Sequence, residues 1–156
     1  MNRVMIRKDR KLEENDIINV LEKGLYGVLS TVGKDNMPYG VPISYIYLNN
    51  CIYMHCSKNE GHKLENIKYN DNVSFNVVTD VETIANAFST KYMSAVIFGK
   101  IEIVENAEEK EKAMKGMLYK YSDKYIESGL KYLEDSFDKV NVLKIEISEV
   151  SGKGRK

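Results

Sequence analysis

The sequence predicts a mainly β protein with α insertions, folded as one antiparallel barrel. Three observations carry this. About six segments rich in Val, Ile and Tyr follow one another at hairpin spacing. Loops between neighbouring segments are a few residues long, too short for the crossovers of a parallel sheet. Segments of helical periodicity interrupt the strands at intervals. The length, 156 residues, is that of one ordinary domain, and no repeat or linker divides it.

The first element is a helix from about Glu14 to Lys23, with Ile17, Ile18, Val20 and Leu21 on one face and Gly24 as its stop. The period then changes. Tyr26 to Val32 reads as a strand, Gly33 to Asn36 as a turn, and Pro38 to Leu48 as a second strand. Asn49-Asn50 is a tight-turn signal that pairs this strand with a third, Ile52 to Cys56, as a hairpin. A short helix with Leu64 and Ile67 inward runs to Asn70, and Val73 to Thr79 is the next strand. Asp80 to Ser89 reads as irregular. Tyr92 to Val104 is a long strand interrupted at Gly99, which marks a bulge or a close backbone approach. Asn106 has the chemistry of a helix cap, with Glu109 three residues on. Met114, Met117, Leu118 and Tyr121 then share one helical face. A second helical piece lies near Ser128 to Ser136, and Val140 to Ile147 is the last strand.

Hydrophobic residues at 43% and charged residues at 29% describe a globule with a core rather than a disordered chain. No apolar run reaches the ~20 residues of a membrane helix. The opening segment carries charges where a signal peptide needs its apolar stretch, so a cytoplasmic protein is expected. The 23 basic and 23 acidic residues cancel, which removes the global field of a nucleic-acid binder. Basic residues still crowd both ends: Arg3, Arg7, Lys8, Arg10 and Lys11, then Lys153, Arg155 and Lys156. Either end is able to meet an anion, although solubilising tails are the simpler reading. Cys51 and Cys56 lie in one strand, about 16 Å apart and beyond disulfide reach, so both are expected as reduced thiols.

The informative segment is His55-Cys56-Ser57-Lys58-Asn59-Glu60-Gly61-His62-Lys63. It ends a strand, turns through small polar residues and starts a helix. A helix start offers unpaired N–H groups and partial positive charge, which suit a phosphate. Ser57 adds a hydroxyl, Gly61 permits close approach, and His62 and Lys63 add donors. A plain strand-to-helix turn with solvated charges is the competing reading. The segment has no Gly-Lys-Ser/Thr phosphate loop and no four-ligand zinc spacing, so no metal is expected. Cys56 and His55 are not a dyad, because successive strand residues face opposite ways. Cys56 shares its face with Ile52 and Met54, and His55 shares the other with Tyr53. The many tyrosines on or beside strands, Tyr39, Tyr45 and Tyr47 among them, are able to stack on a planar ring. Ordinary strand propensity accounts for most of them.

Several runs together carry a resemblance: Tyr26 to Thr31, Pro38 to Tyr45, Ile52 to Cys56 and Gly61 to Ile67. Arg7 to Arg10, Phe88 to Tyr92 and Val96 to Lys100 extend it to nearly the whole chain. The sequence resembles the pyridoxamine 5′-phosphate oxidase-like flavoproteins, and within them the nitroimidazole-resistance branch. The resemblance implies an antiparallel split β-barrel, a homodimer, and FMN bound at the subunit interface. It implies that the backbone of Gly40, Val41, Pro42 and Ile43 runs along the flavin ring. His55, Cys56 and Ser57 would lie near the ring or ribityl chain, and Gly61, His62 and Lys63 would hold the phosphate. Ser94 would reach the flavin, and His55 would be the catalytic residue, as a proton donor to the acceptor. Two departures stand out. The arginine–histidine pair that grips substrate near the end of the parent oxidase is missing from Glu149 to Lys156, so oxidation of a vitamin B6 phosphate is not expected. His62 stands where the parent has an arginine, so a weaker, pH-dependent phosphate grip is expected.

The function expected is therefore an FMN-dependent oxidoreductase that reduces a small acceptor such as a nitroimidazole. The alternative is a protein that sequesters flavin or haem without catalysis. Single-stranded nucleic-acid binding through tyrosine stacking is disfavoured by the zero net charge.

Overall fold

In a computed structural model, residues 5–59 and 61–155 are described. Arg3, Glu60 and Lys156, named above, lie outside them. Among the described residues the strands are β1 Gly27–Val32, β2 Pro38–Ile43, β3 Ile46–Leu48, β4 Cys51–Ser57, β5 Asn72–Ile84, β6 Ser89–Ile103 and β7 Val140–Arg155. The helices are α1 Glu14–Lys23, α2 His62–Tyr69, α3 Ala107–Tyr121 and α4 Ile126–Ser136. The strands form one sheet of seven, in the order β2-β1-β5-β6-β7-β4-β3, and every pairing is antiparallel. The two edge strands, β2 and β3, are consecutive in the chain, with only Ser44 and Tyr45 between them. A chain that leaves one edge and enters the other after two residues must curl the sheet round on itself. The result is the split barrel, with its seam between β2 and β3.

Several sequence expectations hold. Asn49 and Asn50 both have positive φ, 51° and 58°, the geometry of the tight turn joining β3 to β4. The Asn106 side chain accepts the Glu109 N–H at 2.8 Å and caps α3. Gly99 sits at a register shift between β6 and β7.

Three expectations are corrected. The Pro38 to Leu48 strand is broken at Ser44-Tyr45, because Tyr45 turns wholly into the core. Its hydroxyl donates to the Leu21 carbonyl at 2.8 Å, and its ring meets Phe75 edge-on at 5.0 Å. Asp80 to Ser89 is not irregular. It extends β5 and opens β6 as a hairpin, with Asp80 (φ 54°) at a bulge and Phe88 (φ 47°) after a short 3-10 turn. The last strand runs on to Arg155, since Leu12 and Ile17 pack so closely on Gly152 that only glycine fits there.

The barrel interior holds Leu29, Ile52, Met54, Phe75, Val77, Ile97, Leu143 and Ile145, each fully buried. A second cluster, with Ile46, Tyr53, Ala113, Met117 and Val142, joins the outside of β4 and β7 to α3. Cys56 falls in the first cluster and Cys51 in the second, on opposite sides of β4, and both are free thiols. Among the described residues no helix is long and apolar enough to cross a membrane.

Where α3 meets the strand switch, the Lys120 ammonium is buried without a hydrogen-bond partner, 4.2 Å over the Tyr45 ring and 5.5 Å from the Tyr121 ring. Burial lowers its pKa to about 8, against roughly 10.4 in an unfolded chain. Between these values the unfolded chain binds more protons, so stability must rise with pH across that window. The raised thiol values of Cys51 and Cys56 oppose this from about pH 8.5, and raised tyrosine values such as that of Tyr45 from about pH 10, where the unfolded groups ionise. Lys120→Met is therefore expected to have a less positive slope of urea midpoint against pH than wild type between pH 7.5 and 9.5, and an unchanged slope would remove this assignment.

Candidate functional site

The strand-to-helix segment is built as a bowl of open donors. β4 ends at Ser57, whose Oγ accepts the Asn59 N–H at 3.1 Å and turns the chain. Gly61 then starts α2 with extended backbone, and its carbonyl accepts from Leu64 N–H at 2.8 Å and Glu65 N–H at 3.1 Å. Among the described residues no side chain caps this start, and a Cβ on Gly61 would meet nothing within 4 Å. The helix start is thus open, with its N–H dipoles aimed outward.

α2 is fixed by Leu64 and Ile67 in the core and by the buried Asn66, whose Nδ2 donates to Thr31 Oγ1 at 3.0 Å. This lays the His62 ring over the Tyr39 ring of β2, centroids 4.2 Å apart. Lys63, half-buried on the same turn, is close enough for its charge to act on the Cys56 thiol. From Tyr39 the chain continues through the ring-binding candidates. Gly40 and Pro42 face outward and are exposed, while Val41 and Ile43 pack on the core. β2 is an edge strand, the position where Pro38 and Pro42 waste no ladder donor. The structure therefore sets the start of α2 against β2 at Tyr39, from which Gly40 to Ile43 lead away along the sheet edge. The contact through Tyr39 has no signal in the local sequence pattern; the family resemblance alone implied that the two segments serve one ligand.

His55 lies on the opposite face of β4 from Cys56, as the strand period requires. Cys56 belongs to the barrel core, and burial raises its thiol pKa, so it offers no thiolate. The His55 ring enters a cavity of about 370 Å³ between the sheet and α3/α4. Met114, Met117 and Leu118 of α3, Tyr132 and Leu133 of α4, and Ser44 of the strand switch line it. His55 Nδ1 is 3.2 Å from Met117 Sδ. His55 keeps part of its surface exposed, and partial desolvation by this apolar wall lowers its pKa below the ordinary histidine value. The sequence had shown the Met114/Met117/Leu118/Tyr121 face only as packing. That the face stops short of the sheet and leaves a cavity over His55 has no sequence signal.

Ser94 is placed apart. It lies on the outer face of β6, its Oγ donating to the Lys153 carbonyl at 2.9 Å. β1 and β5 separate it from β2, about 14 Å at the usual strand spacing. The basic ends do meet, through a bridge between Lys11 and Lys153. The groove there mixes Arg7, Arg10, Lys11 and Arg155 with Asp9, Glu13 and Asp16, and Arg7 is already ion-paired to Asp9 at 2.6 Å. It is not a purely cationic site.

A split barrel with an open helix start beside an exposed edge strand defines a class of small barrel proteins, and sequence comparison places the chain within it. A family model described as pyridoxamine 5′-phosphate oxidase matches residues 13–154. The chain belongs to that family. No curated protein matches the sequence significantly. Among solved structures, the chain is similar to a candidate 5-nitroimidazole antibiotic resistance protein from Bacteroides thetaiotaomicron. That pair shares 23% identity at a TM-score of 0.74, over 92% of this chain and 86% of the other. A conserved hypothetical protein from Mycobacterium tuberculosis superposes at a TM-score of 0.81 with 19% identity, over 96% and 90%. An FAD-binding protein from Mesorhizobium loti gives 0.66 and 23%, over 94% and 98%. At these identities the likeness is one of fold.

Proposed function

We propose that the protein binds FMN and that the flavin, once reduced by an external two-electron donor, reduces a small acceptor such as a nitroimidazole. The observation that carries this reading is the open start of α2, with Lys63 on its first turn, beside the edge strand β2, which His62 meets by stacking on Tyr39 and whose Gly40 and Pro42 are exposed on the face opposite Tyr39. A dianionic phosphate fits the former, and a planar ring fits the latter. Membership of the family and the flavin named for the Mesorhizobium neighbour support a flavin. When bound, FMN supplies reversible electron transfer. Gly61, His62 and Lys63 would hold its phosphate, and Gly40 to Ile43 would orient the ring. Ser57, exposed at the end of β4, would stand beside the chain between them. Ser94, three strands away, would reach a flavin only from a second copy, so the site is read as one shared by a homodimer. Exposed Val78 and Phe98, on the same outer face as Ser94, are suited to that contact.

His55 would hold the proton that the reduced acceptor requires, since it is the imidazole that lines the adjoining cavity. Titration with FMN should quench flavin fluorescence at one FMN per chain, in a species that sizes as a dimer. His55→Gln should keep FMN affinity yet slow reduction of the acceptor roughly a hundredfold, the low end of general-acid effects. Because burial lowers the His55 pKa, the wild-type rate should rise as pH falls below about 6.5, and the variant should lack that limb. A flavin that binds but is reoxidised equally fast in both proteins would favour sequestration over catalysis.

A further inference from the structure

The cavity over His55 has a property that the flavin reading does not require: among the described residues no charged side chain lines it. We propose that it is the acceptor pocket, and that it selects an uncharged aromatic-sized molecule bearing an N–H or O–H donor. The proposal rests on the reading above for the word acceptor, but its binding chemistry stands on the cavity alone.

First, the walls are thioether, aliphatic and aromatic, from Met114, Met117, Leu118 and Leu133 with Tyr132 at the side. Such walls favour a polarizable ring, and a volume of about 370 Å³ holds a molecule of one or two rings. Second, the polar groups present are mostly satisfied. The Tyr121 hydroxyl accepts from Tyr45 N–H at 2.9 Å and donates to the Tyr45 carbonyl at 2.6 Å or the Leu25 carbonyl at 2.7 Å. The Ser136 hydroxyl donates to the Tyr132 carbonyl at 2.5 Å. The Ser122 and Tyr132 hydroxyls also line the cavity, and the His55 ring adds an acceptor. With its lowered pKa it is neutral at pH 7.5, and the proton placed on Nδ1 by the contact to Met117 Sδ leaves Nε2 as an acceptor. A ligand donor matches that nitrogen. Third, at pH 7.5, where His55 is neutral, an anion entering here finds no charged group among the described lining residues to pair it. Phosphorylated or carboxylated molecules are therefore rejected, although the family's name refers to a phosphate ester.

The test uses two near-isosteric probes, indole-3-ethanol and indole-3-acetate, on the full chain with methyl-labelled methionine, with and without FMN. Indole-3-ethanol should shift the Met114 and Met117 methyl signals and bind at least tenfold more tightly than indole-3-acetate. Both signals should move whether or not FMN is present. Met114→Lys, at a half-buried position, should reverse the preference. Should that variant fail to fold, the wild-type ratio decides. Equal affinities, shifts confined to other methionines, or competition between FMN and indole-3-ethanol would each overturn the proposal. Loss of FMN binding alone would instead overturn the flavin reading and leave the probe result standing.

Discussion

Gly99→Val is expected to abolish folding, and Gly99→Ala to cost about 3 kcal/mol, the upper range for overpacking a filled site. A Cβ at this position would fall 2.2 Å from the Glu146 carbonyl oxygen and 2.8 Å from Ile145 Cγ2. The nearest obstacle is backbone, which has no rotamer to yield. Nor can the strands part cheaply. β6 and β7 pair from Tyr92↔Arg155 to Ile103↔Leu143, and the register shift after Phe98 is pinned by the Ser148 hydroxyl on the Phe98 carbonyl at 2.9 Å. The backbone at Gly99 is not in the left-handed region, so the requirement is for space rather than conformational freedom. Against a total stability of about 5–15 kcal/mol for a domain, the alanine variant should melt roughly 6–12 °C lower. Gly61→Ala is the matched control: open space surrounds that Cβ, and its unfolding free energy should stay within about 1 kcal/mol of wild type, the difference between glycine and alanine at a helix N-cap. A Gly99→Ala protein as stable as the control would mean that the bulge opens freely.

The same glycine shows what the sequence discloses and what it withholds. Its place inside a run of strand residues is enough to mark a bulge or a close approach, and it proves to be both. Local chemistry was readable wherever it acts locally: the Asn49-Asn50 turn, the Asn106 cap, the alternation that sends Cys56 inward and His55 outward. What fails to show is whatever partners decide at a distance. Tyr45 has the composition of a strand residue, but the cavity between Leu21 and Phe75 takes its side chain and breaks the strand into two sheet edges. Gly152 and Gly154 look like a disordered tail, yet Leu12, Ile17 and Met93 need the space a side chain would fill. The site divides the same way. The helix start at Gly61 was legible as a motif, whereas its juxtaposition with β2, through the His62–Tyr39 stack and the Asn66–Thr31 bond, depends on how α2 docks.

That docking makes Lys63 the side chain on which the proposed anchor depends most. Lys63→Gln should weaken FMN binding by about tenfold to a hundredfold, the range for losing a charged hydrogen bond of about 1.5–3 kcal/mol. The first-turn N–H groups of α2 offset only part of a phosphate's charge of nearly −2, and the His62 ring is engaged with Tyr39. No acidic side chain lies in the first three residues of α2, His62 to Leu64, to compete for the ammonium; Glu65 follows one residue later. Two comparisons separate a phosphate anchor from a general loss of structure. Riboflavin, which lacks the phosphate, should bind wild type and variant alike, because the strand face from Gly40 to Ile43 is untouched. FMN affinity should also fall with added salt in wild type and do so less steeply in Lys63→Gln, since screening acts on the charge that was removed. If FMN and riboflavin lose affinity in parallel, Lys63 supports the fold of α2 rather than the ligand. If neither loses any, the anion does not sit at this helix start, and the juxtaposition of α2 with β2 must serve packing alone.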